Sequence, residues 1–110
     1  MARVRRSEKK RTARKALTAS HREWLVGELR SDPALAAEYL SAAAEDGDPR
    51  VYLAALRTVA EAKGMAKLAK AAGVPRESLY RALSSSGNPR FSTLHAVLKA
   101  AGLKMAVEVV

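Results

Sequence analysis

The sequence predicts an all-α protein: a bundle of five to six helices with a short C-terminal β-strand. Three observations carry that expectation. Large apolar residues recur at three- and four-residue spacing through most of residues 19–102. Asp-Pro pairs and single glycines stand where those stretches begin and end. Only Leu103 to Val109 changes to a period of two.

The elements follow in order. Ser20-His21-Arg22-Glu23 has the spacing of a capping box, which opens a first helix with Leu25 and Leu29 on one face. Asp32-Pro33 stops it and starts a second, as N-cap and first-turn proline. Its stripe is Leu35, Tyr39 and Ala43, with Ala36 and Leu40. Asp46-Gly47-Asp48-Pro49 repeats the device, and the third helix runs to about Lys63 with Tyr52, Leu53, Leu56, Val59 and Ala60 at helical spacing. Met65 to Ala72 is a short helix with Leu68, Ala69 and Ala72 inward. Gly73-Val74-Pro75 turns into another, reaching about Leu83, with Leu79, Ala82 and Leu83 inward. Residues 84–89 form a loop by composition, and Ser92 is placed as the cap of a last helix with Leu94, Val97, Leu98 and Ala101 inward and Gly102 at its end. In the final stretch Leu103, Met105, Val107 and Val109 alternate with Lys104, Ala106 and Glu108. A lone strand leaves its backbone groups unpaired, so it is expected to pair with the same strand of a second subunit, the favoured reading, or with another protein; the ordinary alternative is a frayed extended tail.

Composition narrows the function. The chain has 110 residues, and its hydrophobic share of 48% is inflated by alanine, leaving one modest core. Without cysteine there is no disulfide framework, thiolate nucleophile or cysteine-based zinc site. No apolar run is long enough for a membrane span or a secretory signal, so the expectation is a cytoplasmic, nucleoid-associated protein. His21 and His95 lack ligand spacing, no glycine-rich phosphate loop exists, and neither an enzyme nor a cofactor is expected.

The net charge of +9 is uneven. Residues 1–22 carry nine basic side chains against Glu8 alone; residues 23–63 have a net −4, and residues 64–110 a net +5. The chain therefore divides into a basic arm, residues 1–18, and a helical domain, residues 19–110. In the arm, Arg3, Arg5, Arg6, Lys9, Lys10 and Arg11 serve either as a solvated tail or as contacts along DNA phosphates or the minor groove. An organelle transit peptide is ruled out by the want of an apolar helical face.

The segment that carries function is residues 65–83, which has what a helix-turn-helix needs. Ala69 is small enough for a second helix to cross closely, and Gly73 suits the left-handed turn. With Leu79, Ala82 and Leu83 buried, Glu77, Arg81 and Ser84 point away, and Arg76, Ser78 and Tyr80 lie on the flanks. Arg76 and Arg81 are suited to bidentate pairing with guanine, and Glu77 to accepting from a cytosine amine; Ser78 and Tyr80 complete the expected base-reading set. The ordinary alternative is that Glu77 and Arg81 form a surface i, i+4 ion pair.

Residues from about His21 to Val107 resemble the addiction-module antidote proteins, antitoxins with a lambda-repressor-like (Xre-type) helix-turn-helix. Asp32-Pro33-Ala34-Leu35-Ala36-Ala37-Glu38-Tyr39-Leu40 leading to Glu45-Asp46-Gly47-Asp48-Pro49 is similar to the family's upstream helices. Leu56-Arg57-Thr58-Val59-Ala60-Glu61-Ala62-Lys63-Gly64-Met65 precedes the motif as it does there. The most specific stretch is Arg76-Glu77-Ser78-Leu79-Tyr80-Arg81-Ala82-Leu83 followed by Gly87-Asn88-Pro89-Arg90-Phe91-Ser92-Thr93-Leu94. The resemblance implies a dimer on a palindromic double-stranded operator, autorepression of a shared operon, and neutralisation of a RelE/ParE-type toxin. Carried over residue by residue, it puts Arg76, Glu77 and Arg81 at base-reading positions, and Lys67, Lys70, Arg90 and Ser92 against phosphates. The acidic middle (Glu38, Glu45, Asp46, Asp48) and the arm are both candidate toxin surfaces. The competing readings are a stand-alone Xre-type regulator without a toxin, and a protein-interaction module with a solvating arm.

Overall fold

Asp32 and Asp48 start two helices by the same device. In a computed structural model, which describes residues 19–110, the Asp32 carboxylate accepts from the Leu35 amide at 3.1 Å just ahead of Pro33, and Asp48 accepts from the Arg50 amide at 2.9 Å ahead of Pro49. Each aspartate satisfies an amide that the first turn leaves without a carbonyl, and each proline occupies a position where no amide is needed. Six helices are present among the described residues: α1 (Ala19–Ser31), α2 (Pro33–Ala44), α3 (Pro49–Lys63), α4 (Met65–Ala72), α5 (Arg76–Ala82) and α6 (Phe91–Ala100).

α3 is the central element. Leu53, Ala55, Leu56, Val59, Ala60 and Ala62 are all buried along it, because α1 and α2 both pack against it and α4 follows at its C-terminal end. α4 in turn packs against both α5 and α6. The core that results runs from Leu25 and Leu29 through Leu56 and Val59 to Leu79, Leu83 and Val97, the last six all fully enclosed. Burying six such side chains, at roughly 1.5–3 kcal/mol each, is the main drive that holds the helices together.

Side chains close the helix ends that lack their own partners. The Arg30 Nε of α1 donates to the Ala62 carbonyl at 3.0 Å, one of the terminal carbonyls of α3. Gly73 ends α4 in the left-handed conformation, φ 74°, and Val74 N donates back to Ala69 O at 3.0 Å. Gly102 does the same after α6 at φ 82°, with Leu103 N donating to Leu98 O at 2.8 Å.

Three expectations need correction. Ser20 lies inside α1, so it is not an N-cap, which requires a residue outside the helical backbone conformation. Ser92 likewise falls inside the first turn of α6; Arg90 is the N-cap, with extended backbone and no side-chain hydrogen bond. No strand forms over residues 103–109, or elsewhere among the described residues. A ladder needs a second strand, and the described part of the chain supplies none. Leu103 is held against the core, whereas Met105, Val107 and Val109 stand exposed.

Candidate nucleic-acid interface

α4, the Gly73–Val74 turn and α5 form one unit because their facing residues are small or apolar. Ala69 is buried on α4, Leu79 is the wholly buried anchor of α5, and the two helices pack against each other. That anchoring decides which side chains of α5 meet solvent. Glu77 and Arg81 are exposed, as the spacing predicts; of the flank residues Arg76 is exposed and Ser78 and Tyr80 are half-buried. Glu77 and Arg81 form no ion pair, so the ordinary surface explanation for their spacing is not realised. Lys67 and Lys70 on α4 and Arg90 and Ser92 at the start of α6 are also exposed. The arm residues Arg3, Arg5, Arg6, Lys9, Lys10 and Arg11 lie outside the described residues.

Tyr80 has contacts that its flank position alone does not foretell. Its ring packs against the core, with the Arg76 guanidinium 5.6 Å from the ring centroid and the Arg57 guanidinium 5.7 Å from it. Both distances are within the range of a cation–π contact. Arg57, on α3, is held in turn: its Nε donates to Glu61 Oε1 at 3.2 Å. The other oxygen of the same carboxylate accepts from Arg22 of α1 at 2.7 Å. Arg22, Glu61, Arg57, Tyr80 and Arg76 thus form a continuous chain of contacts from α1 to α5. Sequence reasoning missed this chain. Arg57 and Glu61 show helical i, i+4 spacing, but nothing in the sequence signals that Arg22 and Tyr80 arrive from elsewhere.

Two further surfaces are relevant. Phe91 is 69% exposed at the start of α6, its ring stacked on His95 with centroids 6.2 Å apart. An open groove of about 390 Å³ separates the α2–α3 turn from the loop before α6, with Asp46, Asp48, Tyr52, Asn88 and Pro89 among its walls. Asp48 is bound to Arg50, whose guanidinium holds its carboxyl below the ordinary carboxylate value. Burial pushes the Tyr52 phenol upward, as it does Tyr39 against α3. Among the described residues no three His, Asp or Glu side chains are gathered as a metal site would need, and no helix is long and apolar enough to cross a membrane.

The family model of the probable addiction module antidote protein matches residues 24–109. The chain belongs to that family. The matched span takes in all of α2 to α6 and most of α1, and leaves the basic arm outside. An uncharacterized protein of Haemophilus influenzae is 40% identical over 70 residues, which cover 64% of this chain and 72% of that relative. No solved structure matches. An antidote protein is the antitoxin of a toxin–antitoxin module; its partner is a toxin, and the family is typically non-enzymatic.

Proposed function

We propose that this antidote protein is a sequence-specific DNA-binding repressor of its own operon, with a RelE/ParE-type toxin as its protein partner. α4 and α5 act as a lambda-repressor-like (Xre-type) helix-turn-helix, and α5 is the element that enters the major groove. One observation carries this reading. The burial of Leu79 and Leu83 turns Glu77 and Arg81 outward on a short helix that follows a left-handed turn at Gly73, and Arg76 stands exposed on the flank at the first position of that helix. Three exposed groups that recognise base edges then lie on one element, where Arg76 and Arg81 address guanine and Glu77 addresses cytosine. Lys67, Lys70, Arg90 and Ser92 position the domain on phosphates, which fix register without reading sequence. Ser78 and Tyr80 take supporting places, since both are half-buried. The repressor works as a homodimer on a palindromic operator in the bacterial cytoplasm.

Arg81→Ala separates base reading from charge. Binding is measured by fluorescence anisotropy on a duplex of the gene's own promoter region and on a random duplex of equal length. The expected outcome is a loss of about 1–3 kcal/mol on the promoter duplex, with binding to random DNA changed far less. Equal loss on both duplexes would mean that Arg81 meets phosphate only. Retention of both duplexes with the same salt-sensitive affinity by the unaltered protein would sink the repressor reading and favour a protein-interaction module.

A further inference from the structure

The contacts around Tyr80 have a structural logic that DNA contact alone does not explain. Two guanidinium groups approach one ring, Arg57 from α3 and Arg76 from α5, although like charges repel. The Glu61 carboxylate compensates on one side only. It binds Arg57 through one oxygen and Arg22 through the other, which fixes Arg57 against the ring. The ring is half-buried and packed on the core, so it is a rigid plate rather than a free side chain. Arg76 has no carboxylate partner and rests on that plate alone.

We propose that Tyr80 and Glu61 are positioning residues that hold Arg76 in its DNA-reading orientation, with α1 joined to the reading helix through Arg22. This rests on the repressor reading above. Arg76 projects from the first position of α5, and without support its long side chain would sample many rotamers before binding. Stacking on Tyr80 removes that freedom in advance, which favours the one geometry a guanine edge accepts. Glu61 acts two contacts away. Without its charge, Arg57 loses its anchor and the balance of the two cations over the ring shifts toward mutual repulsion.

The test uses the full chain and four variants: Tyr80→Phe, Tyr80→Leu, Glu61→Gln and the double variant Glu61→Gln/Tyr80→Leu. The readout is the ratio of affinities for the promoter-region duplex and a random duplex, with thermal melting to confirm folding. Tyr80→Phe keeps the ring and is expected to hold the ratio within about twofold. Tyr80→Leu is expected to lower it about tenfold and Glu61→Gln about threefold, while random-duplex binding stays level or, for Glu61→Gln, tightens as a negative charge is lost. The double variant is expected to match Tyr80→Leu alone, since both act on one side chain. Additive losses, a Phe variant as poor as Leu, or an unchanged ratio in Glu61→Gln would each overturn the proposal. A second measurement needs no DNA: the ring-current shift of the Arg76 side-chain protons by NMR, expected in the free protein, retained in Tyr80→Phe and reduced in Glu61→Gln. If the unaltered protein shows no preference for the promoter duplex, the repressor reading fails and this shift still decides the relay; a shift unmoved in Glu61→Gln overturns it.

Discussion

Gly87 lies where no other residue fits without rearrangement. A Cβ built there runs into the backbone carbonyls of Ala82 and Arg81, the end of α5, and backbone cannot yield as the tip of a side chain can. Its amide also donates to Ser84 O at 2.9 Å, which closes the loop after α5. Gly87→Ala is therefore expected to destabilise the fold by about 1–3 kcal/mol, read as a lower midpoint in urea denaturation. A midpoint equal to that of the unaltered protein would show that the loop shifts freely. Asp48 provides a test with a different variable. Its carboxyl is held down first by the Arg50 side-chain hydrogen bond and then by the Arg50 amide. The folded value lies below the unfolded one, so this contribution is present above the ordinary value of 3.8 and is lost as pH falls through the depressed value. Asp48→Asn keeps an oxygen for the cap and loses the charge. The melting temperatures of the two proteins are expected to differ slightly above about pH 4 and to converge in stronger acid, the pair being open to solvent. A gap that widened in acid would contradict the assignment.

Among the elements expected from the sequence, the C-terminal strand is the one that does not form. Alternating Leu103, Met105, Val107 and Val109 has the pattern of a strand, yet the described residues supply it no ladder partner. Pairing of two identical copies about a two-fold axis would supply the missing hydrogen bonds and cover Val107 and Val109, which are wholly exposed at 99% and 101%. Removing residues 105–110 keeps Leu103 in the core and is expected to convert a dimer into a folded monomer, measured by sedimentation equilibrium; a dimer that survives would rule out strand pairing. The same contrast explains what could be read from the sequence. Asp32-Pro33, Asp48-Pro49, Gly73 and Gly102 act within a turn of themselves, and the apolar stripes act within one helix, so these were legible. The inward faces of all six helices follow from them. Ser20 and Ser92 misled because a serine near a helix start suits an N-cap and a first-turn position alike. For the candidate site, outward Glu77 and Arg81 follow from Leu79 by helical geometry, while Arg76, a flank residue, is exposed because it stands at the first position of α5. The Arg22–Glu61 contact does not, since it joins residues 39 apart and depends on how α1 lies across α3. The Arg57–Tyr80 contact is hidden for the same reason: which residues meet the flank of α5 is set by tertiary packing.

For the whole molecule, the decisive quantity is where the charge lies relative to α5. Residues 1–18 hold eight basic side chains against Glu8, while the remainder of the chain is close to balanced. A near-neutral domain that reads bases gains specificity but little long-range attraction. A strongly basic segment gains affinity for any polyanion. If both act on DNA, the two roles separate in a salt titration, since each neutralised phosphate adds about 0.9 to the slope of log affinity against log salt on duplex DNA. Removing residues 1–18 is expected to weaken promoter and random duplexes by the same factor at low salt, and to flatten both slopes by a similar amount. The promoter-over-random ratio is expected to stay constant, because Arg76, Glu77 and Arg81 are untouched. A falling ratio would mean that the arm reads sequence itself, through the minor groove beside the site. Unchanged slopes would mean that the arm does not meet DNA, and would leave its charge available to the toxin or to solvent.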